Sequence, residues 1–257
     1  MANIIPITDA SDFRLDLYRN VKDRDLSGRD GLFMAEGRVV LERLFASKLA
    51  QTVSVLTTRD RLSGLDLSSL DAVPVYVVDQ GTMDEIAGFP IHRGYLALGR
   101  YGPLPALGDV LRAPQVRVLC LSQIANTDNM GGLMRNAAAF GVDAVILDQA
   151  CCDPLYRKAI RVSVGGVLEV PHYRVPDLLA TLQHHDLTPY ALSPKGAFSL
   201  DAIQPAERSA LLFGAEGPGL AASVLEACTT VRIEMSGHFD SLNVATTSGI
   251  VLYQFCR

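Results

Sequence analysis

The run Val116-Arg117-Val118-Leu119-Cys120-Leu121 constrains the fold of this chain more than any other feature. Apolar residues stand at nearly every position rather than at every second one. That is the pattern of a strand covered on both faces, and it belongs inside a parallel sheet. The sequence after it alternates. Asp128 is placed to cap a helix running to about Phe140, Gly141 to end it in the left-handed conformation, and residues 144–147 to form the next strand. The pattern continues with a helix over 155–162, a strand near Leu168, a helix over 177–182 and strands over 211–214 and 231–235. A last helix, capped by Ser241, carries Ile250, Val251, Leu252 and Phe255. Such alternation predicts an α/β fold with a parallel sheet.

The stretch YGPLPALG over 101–108 separates two differently patterned halves and reads as a linker. It divides the chain into domains of residues 1–105 and 106–257. In the first, Val39, Val40, Leu44 and Leu49 have helical spacing, 53–56, 75–78 and 95–98 read as strands, and 82–87 as a short helix. This half is expected to be a small α/β domain.

The overall composition, 49% hydrophobic and 20% charged, is that of an ordinary soluble globular protein. Residues 1–14 lack the cationic start and apolar run of a secretory leader, and no later stretch is long and apolar enough to span a bilayer. The expectation is a cytoplasmic protein with no membrane contact. Five cysteines, two of them adjacent at Cys151 and Cys152, suit free thiols better than a disulfide framework. His184 and His185 are neighbours rather than ligands at zinc spacing, so no metal is expected.

The net charge of −5 does not itself point to nucleic acid, although local potential rather than net charge governs binding. Arg19, Lys22, Arg24 and Arg29 alternate with Asp16, Asp23, Asp25 and Asp30, the usual look of a solvated face. Residues 91–94, Ile-His-Arg-Gly, read equally well as an RNA contact or a surface turn.

Three segments carry chemistry. The first, Asn126 to Asn136, lies between a predicted strand and helix, the junction at which parallel sheets bind ligands; Asp128, Gly131 and Arg135 share one helical face. The second, Leu211 to Leu220, runs from a strand into a Gly-Pro loop around Glu216. Its G-x-x-G-x-G order is neither a dinucleotide fingerprint nor a P-loop, which weakens nucleotide-dependent oxidoreductase and ATPase readings. The third, Ile233 to Val244, leads from a strand through a Gly-containing loop to the final helix. Alone, each admits a bland reading as a solvated arginine, an ordinary loop or a helix cap.

Together and in this order they resemble the SpoU, or TrmH-like, branch of the SPOUT RNA methyltransferases. The family's Asn-x-Gly-x-x-x-Arg, Gly-x-Glu-Gly-x-Gly and Ser-Leu-Asn-Val motifs are matched by Asn129 to Arg135, Gly214 to Gly219 and Ser241 to Val244. Phe33 to Gly37, followed by a helix, is similar to the start of the family's small substrate-binding domain. The chain departs from the family at Asn126-Thr127, commonly Asp-Pro, and at Glu234, commonly Pro.

The resemblance implies a C-terminal trefoil knot, a homodimer and RNA as substrate, with ribosomal RNA slightly favoured over transfer RNA. It implies transfer of a methyl group from S-adenosylmethionine to a ribose 2′-hydroxyl. Arg135, Glu216, Asn243, Asn129 and Ser241 would be catalytic, and Gly214, Gly219, Ile233, Met235 and Leu242 would hold the cofactor. The alternative is a non-enzymatic RNA-binding or ribosome-assembly protein that keeps the knotted fold, against which the intact Arg135, Glu216 and Asn243 argue.

Overall fold

The structure, a computed structural model, describes residues 2–19, 26, 31–88, 94–237 and 240–256. The Lys22, Arg24 and Arg29 positions of the charged stretch, with Asp23, Asp25 and Asp30, and residues 91–93 lie outside them. By contact the chain divides into two compact units, Met1–Pro103 with Leu155–Glu169, and Leu104–Pro154 with Val170–Arg257.

The first unit is built on five strands, β1 (Asn3–Pro6), β2 (Leu32–Glu36), β3 (Ala50–Thr58), β4 (Pro74–Val78) and β5 (Tyr95–Tyr101), in the order β1-β4-β3-β5-β2. β1, β4 and β3 run parallel, and β5 pairs antiparallel with both β3 and β2. Two helices join them, α1 (Arg38–Ala46) and α2 (Gln80–Ala87). Asp79 caps α2 by accepting from the Thr82 amide, and Gly88 ends it in the left-handed region. β2 stands at the sheet edge, yet all five of its residues are buried, because the short helix Arg157–Val162 packs on it and shields what would be an open edge.

The second unit holds seven parallel strands: β6 (Val116–Leu121), β7 (Ala144–Leu147), β8 (His172–Arg174), β9 (Thr188–Leu192), β10 (Phe198–Ser199), β11 (Arg208–Phe213) and β12 (Thr229–Arg232). Their order is β10-β12-β9-β11-β6-β7-β8, so the apolar β6 sits inside the sheet as its pattern requires. Three helices matter most, α3 (Thr127–Ala139), α4 (Leu178–His184) and α5 (Val244–Phe255). α5 is anchored by buried Val251, Leu252 and Phe255, the last lying edge-on to Tyr190 at 5.0 Å, whereas Ile250 is exposed. Truncating a buried Phe of this kind typically costs about 3–5 kcal/mol.

Two expected caps are corrected. Asn126, not Asp128, caps α3, accepting from the amides of Asp128 at 2.7 Å and Asn129 at 3.4 Å. Asn243, not Ser241, caps α5. In both places several residues able to cap stand close together, and backbone direction selects among them. The strand expected near Leu168 is also absent: Gly166–Leu168 is a 3-10 turn entered through Gly165 at φ 80°, and the strand lies at His172–Arg174. Gly141 does adopt the left-handed conformation after α3, at φ 65°.

Candidate active site

The carboxyl ends of β9, β11 and β12 converge, as expected for a ligand site in an open parallel sheet. Leu192 pairs in register with Val231, and with Phe213 at the end of β11 they form the floor of a cavity of about 580 Å³. Its wall is the loop Gly214 to Gly219, and its rim is formed by Ile233, Met235 and Asp240 to Val244, with Thr247 of α5.

The loop's shape follows from its glycines. A Cβ on Gly214 would stand 2.5 Å from both the Gly219 carbonyl oxygen and the Leu220 nitrogen, so the two arms of the loop touch backbone to backbone there, where Ala215 and Gly219 bridge. Gly217 and Gly219 have φ of 85° and 70°, a region that residues with a Cβ rarely adopt, and a Cβ on either would meet no atom within 4 Å. These two glycines leave open space beside the loop. Gly214 therefore shapes the loop through its own backbone crossing.

Asn243 ties the three sequence segments together. Its Oδ1 accepts from the amides of Ala245 at 2.9 Å and Thr246 at 3.3 Å, capping α5. Its Nδ2 donates to Asn129 Oδ1 at 2.8 Å and to Glu216 Oε1 at 3.1 Å. One amide orientation satisfies all four contacts, so the cap fixes which edge faces the site. Asn129 is 6% exposed, whereas Glu216 and Asn243 are exposed to solvent.

α3 and α5 are locked behind this triad. Asn136 Nδ2 donates to Ala245 O at 2.7 Å and to Ser248 Oγ at 2.8 Å. A Cβ on Gly132 would come within 2.6 Å of the Ala245 Cβ, so the glycine permits the close helix approach.

Eight of the expected site residues line the cavity: Gly214, Glu216, Gly219, Ile233, Met235, Ser241, Leu242 and Asn243. Asn129 reaches the group through Asn243, outside the cavity lining. Arg135 is exposed on α3, and no hydrogen bond or ion pair joins it to another described residue. Glu234 does not line the cavity. Its neighbours Ile233 and Met235 do, and its carboxylate is held by Arg232, with Nη2 at 2.7 Å and Nε at 3.0 Å. The acidic residue at the family's proline position therefore leaves the cavity's charge to Glu216 and Asp240.

Sequence reasoning missed Leu192, Ser193 and Pro194, because β9 begins Thr-Pro and is short; the Ser-Pro pair closing an apolar run is the signal that marks its end. His184 and His185 stack edge to face at 4.8 Å, and the described residues contain no group of three or more His, Cys, Asp or Glu placed to hold a metal. Among them no helix is long and apolar enough to cross a membrane.

Residues 117–253 match the SpoU rRNA Methylase family model. An uncharacterized tRNA/rRNA methyltransferase of Mycobacterium tuberculosis is 39% identical over 98% of this chain and 91% of its own length. The 23S rRNA (guanosine-2'-O-)-methyltransferase RlmB of Acinetobacter baylyi is 30% identical over 75% of this chain and 82% of its own. Among solved structures, that of an AdoMet-bound rRNA methyltransferase from Sinorhizobium meliloti has a TM-score of 0.80 at 20% identity, covering 98% of this chain and 97% of that one, a likeness of fold. The family match spans over half of the chain, and the mycobacterial likeness extends it to nearly all of it: the chain belongs to the SpoU rRNA methylase family.

Proposed function

We propose that this chain is an RNA methyltransferase that transfers a methyl group from S-adenosylmethionine to a ribose 2′-hydroxyl. The observation that carries the reading is the Asn243 junction, which brings Asn129 and Glu216 together at the mouth of a cavity walled by a glycine loop. The residues fit the cofactor. Gly217 and Gly219 leave space that a Cβ would fill, while Leu192, Ile233, Met235 and Leu242 offer apolar surface for an adenine and nearby backbone groups offer hydrogen bonds. When bound, S-adenosylmethionine supplies an electrophilic sulfonium methyl.

The chain's own residues would do the rest. Asn243 and Glu216 hold the ribose, and the cap on α5 keeps the Asn243 amide turned for that work. Ser241, exposed on the rim, adds a hydroxyl to the same edge. Arg135 acts as a clamp on the adjacent phosphate, offsetting the alkoxide charge that develops as the hydroxyl loses its proton. A guanidinium is a poor base, its pKa being above about 12, so the clamp is the simpler role.

Residues 1–105, with Leu155–Glu169 folded onto them as part of the same compact unit, are assigned as the substrate-binding domain, and the remainder of residues 106–257 as the methyltransferase domain. Ribosomal RNA is favoured over transfer RNA by the added N-terminal domain and by the likeness to the Acinetobacter 23S rRNA methyltransferase. We further infer the family's trefoil knot, and a homodimer that covers the exposed Ile250 and Tyr253 of α5. Free thiols at all five cysteines suit the cytoplasm. Calorimetric titration with S-adenosylmethionine, paired with methyl transfer to RNA, tests the reading. Saturable binding and a 2′-O-methylated product support it, and binding without transfer points instead to the non-enzymatic RNA-binding alternative.

A further inference from the structure

The first unit contains a second cavity, of about 310 Å³, between the start of α1, Tyr95 and the segment Arg161 to Val164. Two observations there point to a ligand. α1 begins at Gly37, which has no side chain to cap it, and its first residues, Arg38, Val39 and Val40, line the cavity. A nine-residue helix thus presents its free amides and the positive end of its dipole to the space.

The second observation is Glu36. The residue is 6% exposed and lines the same cavity, and its Oε2 is buried with no hydrogen-bond donor. Arg161 Nη1 stands 3.7 Å away and Arg157 Nε 3.9 Å, near enough to balance charge but outside hydrogen-bond reach. A buried carboxylate oxygen left without a donor is costly.

The surroundings are strongly basic. Arg38, Arg61 and Arg161 line the cavity with Glu36, Arg38 also pairing with Glu42 one turn along α1 at 3.6 Å, and the Arg61 guanidinium lies 5.8 Å from the centre of the Tyr95 ring. Val39, 46% exposed, gives the mouth an apolar edge.

Helix amides and guanidiniums select an anion, and a buried acceptor selects a group bearing N–H donors. We infer that this cavity takes one unpaired nucleotide of the substrate RNA, its phosphate on the start of α1 and the arginines, and its base a guanine whose adjacent N1–H and N2–H donate to Glu36. Guanine presents two neighbouring donors on one edge, so a carboxylate can accept from both; adenine offers one donor beside an acceptor. The volume is at the low end for ligand sites and suits one nucleotide rather than a duplex. This inference rests on the reading of the chain as an RNA-modifying enzyme.

The test is titration of the full chain with guanosine 5′-monophosphate, adenosine 5′-monophosphate and inorganic phosphate, with S-adenosylhomocysteine in excess so that the cavity of the second unit is filled. The guanine nucleotide should bind about tenfold more tightly than the adenine one, the discrimination that a bidentate base contact gives. Glu36→Gln should remove the preference by weakening the guanine nucleotide alone. Arg38→Ala and Arg161→Ala, both at exposed positions, should each weaken nucleotide and phosphate several-fold, and they decide the matter if Glu36→Gln does not fold. Equal affinity for the two nucleotides, or arginine variants that bind as wild type does, overturns the inference. Failure of S-adenosylmethionine to bind, measured on the same protein, would sink the proposed function separately, and nucleotide binding that depends on Glu36 would survive it.

Discussion

Replacing Asn243 separates its two jobs. Asn243→Ala removes the cap on α5, a loss of about 1 kcal/mol, and leaves the Oδ1 of the buried Asn129 without its donor, which costs about 1–3 kcal/mol more. The sum, roughly 2–4 kcal/mol, should lower the melting temperature of the second unit by about 5–15 °C. Asn243→Asp behaves differently. Aspartate caps as well as asparagine does, and the Asn129 amide is able to rotate and donate to it, but the new carboxylate faces Glu216 where an N–H stood. Because Glu216 is exposed, that repulsion should cost no more than about 1 kcal/mol of stability. Methyl transfer should nonetheless fall about a hundredfold or more in both variants, since each loses the oriented donor to Glu216. Thermal unfolding by circular dichroism and single-turnover methylation read the two effects independently. An Asn243→Asp protein that methylates RNA at the wild-type rate would refute the idea that the Nδ2 contacts organise the site, and an Asn243→Ala protein that melts as wild type does would refute the cap.

Arg135→Ala should lower methyl transfer by about two to three orders of magnitude while leaving S-adenosylmethionine affinity unchanged in calorimetry, since Arg135 is exposed on α3 and does not line the cavity; Arg135→Lys should fail as well, lacking the planar fork. Gly214→Val should abolish cofactor binding by forcing the two arms of the loop apart, which titration would detect; a variant that binds normally would show that the backbone crossing at Gly219 is dispensable. Gly132→Ala should destabilise the second unit by about 1–3 kcal/mol in denaturant unfolding, because its methyl meets that of Ala245, and an unchanged midpoint would mean that α3 and α5 have room to spare.

The elements legible in the sequence are those whose pattern comes from burial. β6 and β7 stand at their expected positions because nearly every residue faces a covered surface, and the helices between strands keep their spacing. β1 escaped notice because three of its four residues are exposed at a sheet edge, and β9 because Pro189 sits inside it. The reading near Leu168 failed for another reason. Val167 and Leu168 are fully buried, but in a turn of the first unit, where tertiary contact rather than strand pairing covers them. At the candidate site the second and third motifs supply residues that line the cavity, and three-dimensional contact adds what spacing cannot: that Asn243, rather than Ser241, is both cap and junction, and that the Glu234 carboxylate is held by Arg232.

The most direct measurement is nucleoside mass spectrometry of ribosomal and transfer RNA from cells with and without this chain, with the deletion complemented by wild type or by Arg135→Ala. One 2′-O-methylated nucleoside should disappear on deletion, return with the wild-type chain and stay absent with Arg135→Ala. An unchanged set of 2′-O-methylated nucleosides in both RNA classes would contradict methyl transfer by this site.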